Sequence, residues 1–121
     1  MDIKSLIAMV KKNPAMVIGK PSISRLAMFL NGYIWAVLDQ ENIGEWPSKR
    51  KEESYDFLLG QYNDWLAVRY PEGKSLGWES ILLLVTGNEE AALSLFWDTW
   101  EEFLADPHRE ENAAQWYAWL E

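Results

Sequence analysis

Ile23-Ser24-Arg25-Leu26-Ala27-Met28-Phe29-Leu30-Asn31-Gly32-Tyr33-Ile34-Trp35-Ala36-Val37-Leu38 is the stretch that decides the fold. Ile23, Leu26, Ala27, Leu30, Tyr33, Ile34, Val37 and Leu38 recur at steps of three or four, which places them on one face of an α-helix. Met28, Phe29 and Trp35 fall on the other faces. A helix apolar nearly all round is buried on several sides, so this segment is expected at the centre of the fold. Gly32 costs about 1 kcal/mol relative to Ala inside a helix. It would let a neighbouring helix approach closely.

Working toward the N-terminus, Pro21 and Ser22 punctuate the chain, and Ser22 is a candidate cap for the helix that follows. Residues 15–20 read as a connector containing Gly19. Before it, Ile3, Leu6, Ile7 and Val10 keep helical spacing until Asn13-Pro14 ends the first helix. Working toward the C-terminus, residues 40–47 read as a loop. The charged run Ser48-Lys49-Arg50-Lys51-Glu52-Glu53 opens a third helix, with Tyr55, Leu58, Leu59, Tyr62, Trp65 and Leu66 as its stripe. Pro71-Glu72-Gly73-Lys74 is a turn. Residues 76–86 hold a run of Ile and Leu that resembles a strand. Trp78, Ile81, Leu82 and Val85 nevertheless keep helical spacing, and no partner strand is evident. Gly87 is a helix stop and Asn88 the next cap, with Glu89 and Glu90 in the first turn, where the helix dipole favours carboxylates. The fifth helix buries Leu93, Phe96, Trp97, Trp100, Phe103 and Leu104, until Asp106-Pro107 breaks it. A last helix carries Ala113, Trp116, Tyr117 and Leu120. The expectation is an all-α, single-domain bundle of five to six helices spanning residues 1–121. Leu30, Ile34, Leu58, Ile81, Phe96 and Trp100 are expected in its core.

Composition limits the function. With 121 residues, of which 49% are hydrophobic, the chain fits one globular domain. The absence of cysteine excludes disulfides, zinc-thiolate sites and thiol catalysis, and is compatible with a reducing compartment. The start shows no signal peptide, and the longest apolar run, residues 81–85, is far too short to span a bilayer. A cytoplasmic protein without a membrane partner is expected. His108 is the single histidine, and it falls in a loop after Pro107. Nucleophilic catalysis commonly needs a base beside the nucleophile, and zinc needs more ligands than this. No phosphate-binding glycine loop is present. The Glu doublets at 52/53, 89/90, 101/102 and 110/111 lie about 100° apart on a helix and do not converge. The basic triplet Lys49-Arg50-Lys51 is followed at once by Glu52, Glu53 and Asp56, which favours internal salt bridges over phosphate binding. No catalytic residue, cofactor or metal is expected, and the chain reads as a non-enzyme.

Charge is unevenly placed. Residues 1–70 hold nine Lys/Arg and eight Asp/Glu, whereas residues 71–121 hold two Lys/Arg and eleven Asp/Glu. An acidic half repels nucleic acid and attracts basic surfaces. Asp98, Glu101 and Glu102 lie off the apolar stripe of the fifth helix, and Asp106, Glu110 and Glu111 continue the acidic surface. With Trp119 as an aromatic anchor, these residues form the candidate site for a basic protein partner.

Three sets of segments together carry a resemblance. They are Asn13-Pro14-Ala15-Met16-Val17-Ile18-Gly19 with Ser24-Arg25-Leu26 and Phe29-Leu30-Asn31-Gly32-Tyr33; Trp65-Leu66-Ala67-Val68-Arg69-Tyr70; and Trp78-Glu79-Ser80-Ile81-Leu82-Leu83 with Glu90-Ala91-Ala92-Leu93-Ser94-Leu95-Phe96 and Glu101-Glu102-Phe103-Leu104. The pattern resembles small bacterial immunity proteins of polymorphic toxin and contact-dependent growth inhibition systems. The resemblance implies a protein that binds and neutralises a cognate toxin domain. It supplies no functional residues. A basic nuclease is the toxin the acidic half would suit. The alternative expectation is a small helical ligand-binding or self-associating protein with an aromatic-lined pocket.

Overall fold

The computed structural model describes residues 2–41, 55–73 and 76–118. Among these residues seven α-helices follow one another: α1 (Ile3–Lys12), α2 (Pro14–Val17), α3 (Ile23–Glu41), α4 (Tyr55–Arg69), α5 (Trp78–Thr86), α6 (Glu89–Ala105) and α7 (Arg109–Ala118). A 3-10 turn, Pro71–Gly73, links α4 to the segment before α5. No strand occurs among the described residues. The class is all-α, as the periodicity predicts.

The helix beyond the expected five or six is α2, which occupies part of the predicted connector. Pro14 stands in its first turn, where a missing N–H forfeits no helical bond. The Ile18 amide donates to Pro14 O at 2.9 Å, and Gly19 then leaves the helix at φ 80°. Two boundaries also shift. α3 continues to Glu41, past the expected loop start at Gln40, and α5 begins at Trp78 rather than Leu76 because Gly77 is its N-cap. The expected opening of the third helix at residues 48–53 lies outside the described residues, as does Leu120.

Helix ends are held by identifiable partners. Asp2 Oδ1 accepts from the Ser5 amide at 2.8 Å, and Asn88 Oδ1 accepts from the Ala91 amide at 2.7 Å. Ser22 Oγ accepts from the Arg25 amide at 3.2 Å, so Ser22 caps α3. Gly77 has no side chain to offer α5. Asn63 of α4 supplies the acceptor instead, its Oδ1 taking the Trp78 amide at 2.5 Å. Gly87 closes α5 in the left-handed region, φ 81°, with its amide on Leu83 O.

The core is one contiguous cluster drawn from α1, α3, α4, α5, α6 and α7, and it contains all six residues expected there. α7 lies along α4, α5 packs on α6, and α3 packs on α6 and α5. Tyr62 is the hub. Its ring meets Trp100, Phe96 and Phe103 edge-on at centroid distances of 5.2, 5.5 and 5.5 Å. Its hydroxyl bonds Thr99 Oγ1 at 2.8 Å, and Thr99 in turn donates to Leu95 O at 2.7 Å. Both buried polar groups are therefore satisfied. Burial pushes the Tyr62 phenol far above its ordinary pKa, so it stays neutral.

The expectation that fails is the surrounding of α3. Ile23, Leu26, Ala27, Leu30 and Ile34 are buried, but Met28 is 74% and Trp35 68% exposed. A Cβ placed on Gly32 would meet nothing within 4 Å. α3 is thus covered by α6 and α5 along its stripe, while Met28 and Trp35 remain largely exposed.

Candidate partner-binding surface

α6 owes its two faces to the spacing of its residues. Leu93, Phe96, Trp100 and Phe103 turn inward, while Glu90, Ser94, Asp98, Glu101, Glu102 and Ala105 stand exposed on the opposite side. Asp98, Glu101 and Glu102 therefore share one outward face, spaced at three and four residues.

Two of these carboxylates already hold cations of the chain. Lys11 of α1 reaches Glu101. Arg69 at the end of α4 places Nη1 2.6 Å from Glu102 Oε2, with its guanidinium 5.2 Å from the centre of the Trp65 ring. All four side chains are between 42% and 64% exposed, and ion pairs of that kind contribute little to stability. They hold the carboxylates in place while leaving them open to exchange. Asp98 and Glu90 make no ion pair among the described residues.

Asp106 is placed differently. Its Oδ2 accepts from Trp65 Nε1 at 2.9 Å and from Asn112 Nδ2 at 2.7 Å, and its Oδ1 accepts from the His108 amide at 2.8 Å. One carboxylate thereby ties α4, the α6–α7 turn and α7 together. The Trp65 indole first, then the His108 amide and Asn112, hold its pKa below the ordinary carboxylate range. Asp106 is committed to the fold at the edge of the acidic face. Glu110 and Glu111 are exposed in the first turn of α7, and Glu111 Oε2 lies 3.5 Å from His108 Nδ1. Glu110 and Glu111 join Asp106, Leu104, Ala105, Pro107 and Arg109 around an open depression. Trp119 lies outside the described residues. The structure thus brings Asp98, Glu101 and Glu102 onto one helix face and Asp106, Glu110 and Glu111 around the adjoining turn.

Glu89 has a larger part than its sequence position suggests. It sits in the first turn of α6, but its carboxylate reaches the start of α3. Oε1 accepts from Ser24 Oγ at 2.6 Å, and Oε2 accepts from the Ser24 amide and Ser22 Oγ, both at 2.9 Å. These bonds, those of Ser24 foremost, hold its pKa below the ordinary range. No local motif announces this contact, because the partners are more than sixty residues apart.

Three of the tryptophans belong to the core packing. Trp65, Trp78 and Trp100 pack against Tyr62, Phe96 and Phe103, with Trp65 stacked on Tyr62 and Trp100 on Phe96 and the other pairs edge-on or tilted. None of the residues around the depression is aromatic. Among the described residues, no three His, Asp or Glu side chains converge as a metal-binding set, and no helix is long and apolar enough to cross a membrane. Comparison with known protein families, curated proteins and solved structures finds no match for this chain.

Proposed function

We propose that this chain is an immunity-type protein that binds a cognate toxin domain and blocks it, and that the toxin is basic, with a nuclease the most suitable kind. The observation that carries the proposal is the outward face of α6, where Asp98, Glu101 and Glu102 stand together on a rigid helix backed by the aromatic core. Carboxylates held in that way steer a basic surface and fix its orientation without rearrangement of the backbone. Lys11 and Arg69 are exposed enough to yield Glu101 and Glu102 to cations of the partner. The sequence resemblance to immunity proteins and the excess of acid in residues 71–121 support the same reading. Inhibition needs only coverage of a phosphate-binding cleft, and the chain itself performs no reaction in this scheme.

The test is association kinetics with the product of the adjacent gene. Replacing Asp98, Glu101 and Glu102 by Ala is expected to slow association about ten-fold at low salt and much less at high salt, since rim charges act mainly on the on-rate. Unchanged binding and unchanged protection of cells at low salt would place the site elsewhere.

A further inference from the structure

Two helices send a cation to the outward face of α6. Lys11 of α1 takes Glu101, and Arg69 of α4 takes its neighbour Glu102. Asp98, one turn before Glu102 on the same face, is exposed and makes no ion pair among the described residues. Lys11 stands in the last turn of α1 and Arg69 in the last turn of α4, where the negative end of the helix dipole favours a cation. Arg69 is held a second time, with its guanidinium 5.2 Å from the centre of the Trp65 ring. Trp65 is itself buried and fixed by its bond to Asp106. Each cation therefore keeps a favourable resting place on its own helix when it leaves its carboxylate. Both pairs are half-exposed, so other ions can compete for them. Lys12 and Lys20 are exposed too, and neither makes an ion pair among the described residues.

We propose that Lys11 and Arg69 are autoinhibitory counter-ions of the α6 face, which occupy Glu101 and Glu102 until the cations of a basic partner displace them. The inference rests on the reading of that face as the partner surface and adds its regulation. An incoming Lys or Arg gains at Glu101 or Glu102 only the difference between its own pairing and the one already made. Asp98, unpaired, takes the first contact and steers the encounter. A surface that brings one cation finds two of the three carboxylates taken. A surface that brings several displaces both internal partners, and Lys11 and Arg69 fall back on their helix ends, Arg69 also on the Trp65 ring.

The test uses a labelled helical peptide of Ala with Arg at every fourth position, measured by fluorescence anisotropy against the intact protein. Lys11→Gln combined with Arg69→Gln frees both carboxylates and is expected to tighten binding about five-fold, in keeping with the modest worth of two exposed pairs. Removing two cations also changes the net charge. Lys12→Gln combined with Lys20→Gln changes it equally without freeing a carboxylate, and is expected to tighten binding less than about two-fold at moderate salt, where unpaired distant charges are screened. Lys11→Gln alone, which touches no ring, should give about half of the gain on a logarithmic scale and keeps the test sound if loss of Arg69 from Trp65 lowers the thermal melt. With Asp98, Glu101 and Glu102 replaced by Ala as well, the gain should vanish. The proposal is overturned if the Lys11/Arg69 variant binds no more tightly than the Lys12/Lys20 variant, or if its gain survives loss of the three carboxylates; the α6 reading stands in the first case. If the three-Ala variant with Lys11 and Arg69 intact binds the peptide as the parent does, the α6 reading and this inference fall together.

Discussion

Glu89 and Asp106 lie at helix ends, where local sequence assigns them no more than a dipole or a break. In the structure each collects hydrogen bonds from distant elements: Glu89 from Ser22 and Ser24, Asp106 from Trp65, Asn112 and the His108 amide. Glu89→Ala removes the acceptor for the Ser24 amide in the first turn of α3, and should lower stability by about 1 kcal/mol, the usual worth of a cap. Chemical denaturation checks this. Both carboxylates have folded-state pKa values depressed below their unfolded ones. A depressed carboxylate binds its proton more readily in the unfolded chain. Its contribution is therefore complete above the ordinary value near 4 and is lost as pH falls through the depressed one. A series of melts should show a loss of stability below about pH 4 that is shallower in a Glu89→Gln/Asp106→Asn variant. An equal acid slope in the variant would assign the loss to other groups. At the hub, Tyr62→Phe removes a hydroxyl while Thr99 keeps its bond to Leu95 O. Thr99→Val leaves the Tyr62 hydroxyl buried without a partner. The first should destabilise by about 1 kcal/mol and the second by about 2, because an orphaned buried group is worse than a deleted one.

At the scale of elements, periodicity was a sound guide wherever one face was buried. The stripes of α1, α4, α5 and α6 are legible because Leu, Ile and aromatic residues recur at three and four, and Gly87-Asn88 marks a stop and a start by chemistry alone. α2 was not legible, because a single turn has no period to read and Asn13-Pro14 signals an end as readily as a beginning. The exposure of Met28 and Trp35 on α3 was not legible either. Apolar residues all round a helix are compatible with burial, but Met28 and Trp35 face away from the elements that cover the stripe. Of the candidate site, Asp98, Glu101 and Glu102 were placed on the surface by their phase in α6. Their pairing with Lys11 and Arg69 depends on how α1 and α4 lie against α6, which no local pattern encodes. The same holds for Gly73. The 3-10 turn brings it so close to α5 that a Cβ would stand 2.8 Å from Ile81 Cγ1. Gly73→Ala should cost about 1–3 kcal/mol through overpacking, measurable as a fall in the denaturation midpoint with the slope unchanged.

Among the described residues, an aromatic core backs the acidic outward face of α6, and α6 and α3 are joined at their starts through Glu89. Such a scaffold presents fixed charges, which is what the proposed neutralising of a basic toxin requires. The most direct measurement is the rate and equilibrium constant of complex formation with the product of the adjacent gene across a salt series, read beside that product's own toxic activity. The account predicts a complex of defined stoichiometry that silences the toxin and whose association rate falls steeply with salt. It also predicts that the variant lacking Asp98, Glu101 and Glu102 loses most of that salt dependence. A toxin that remains active in the presence of excess protein, or a complex formed equally fast at every salt concentration by parent and variant, would contradict it.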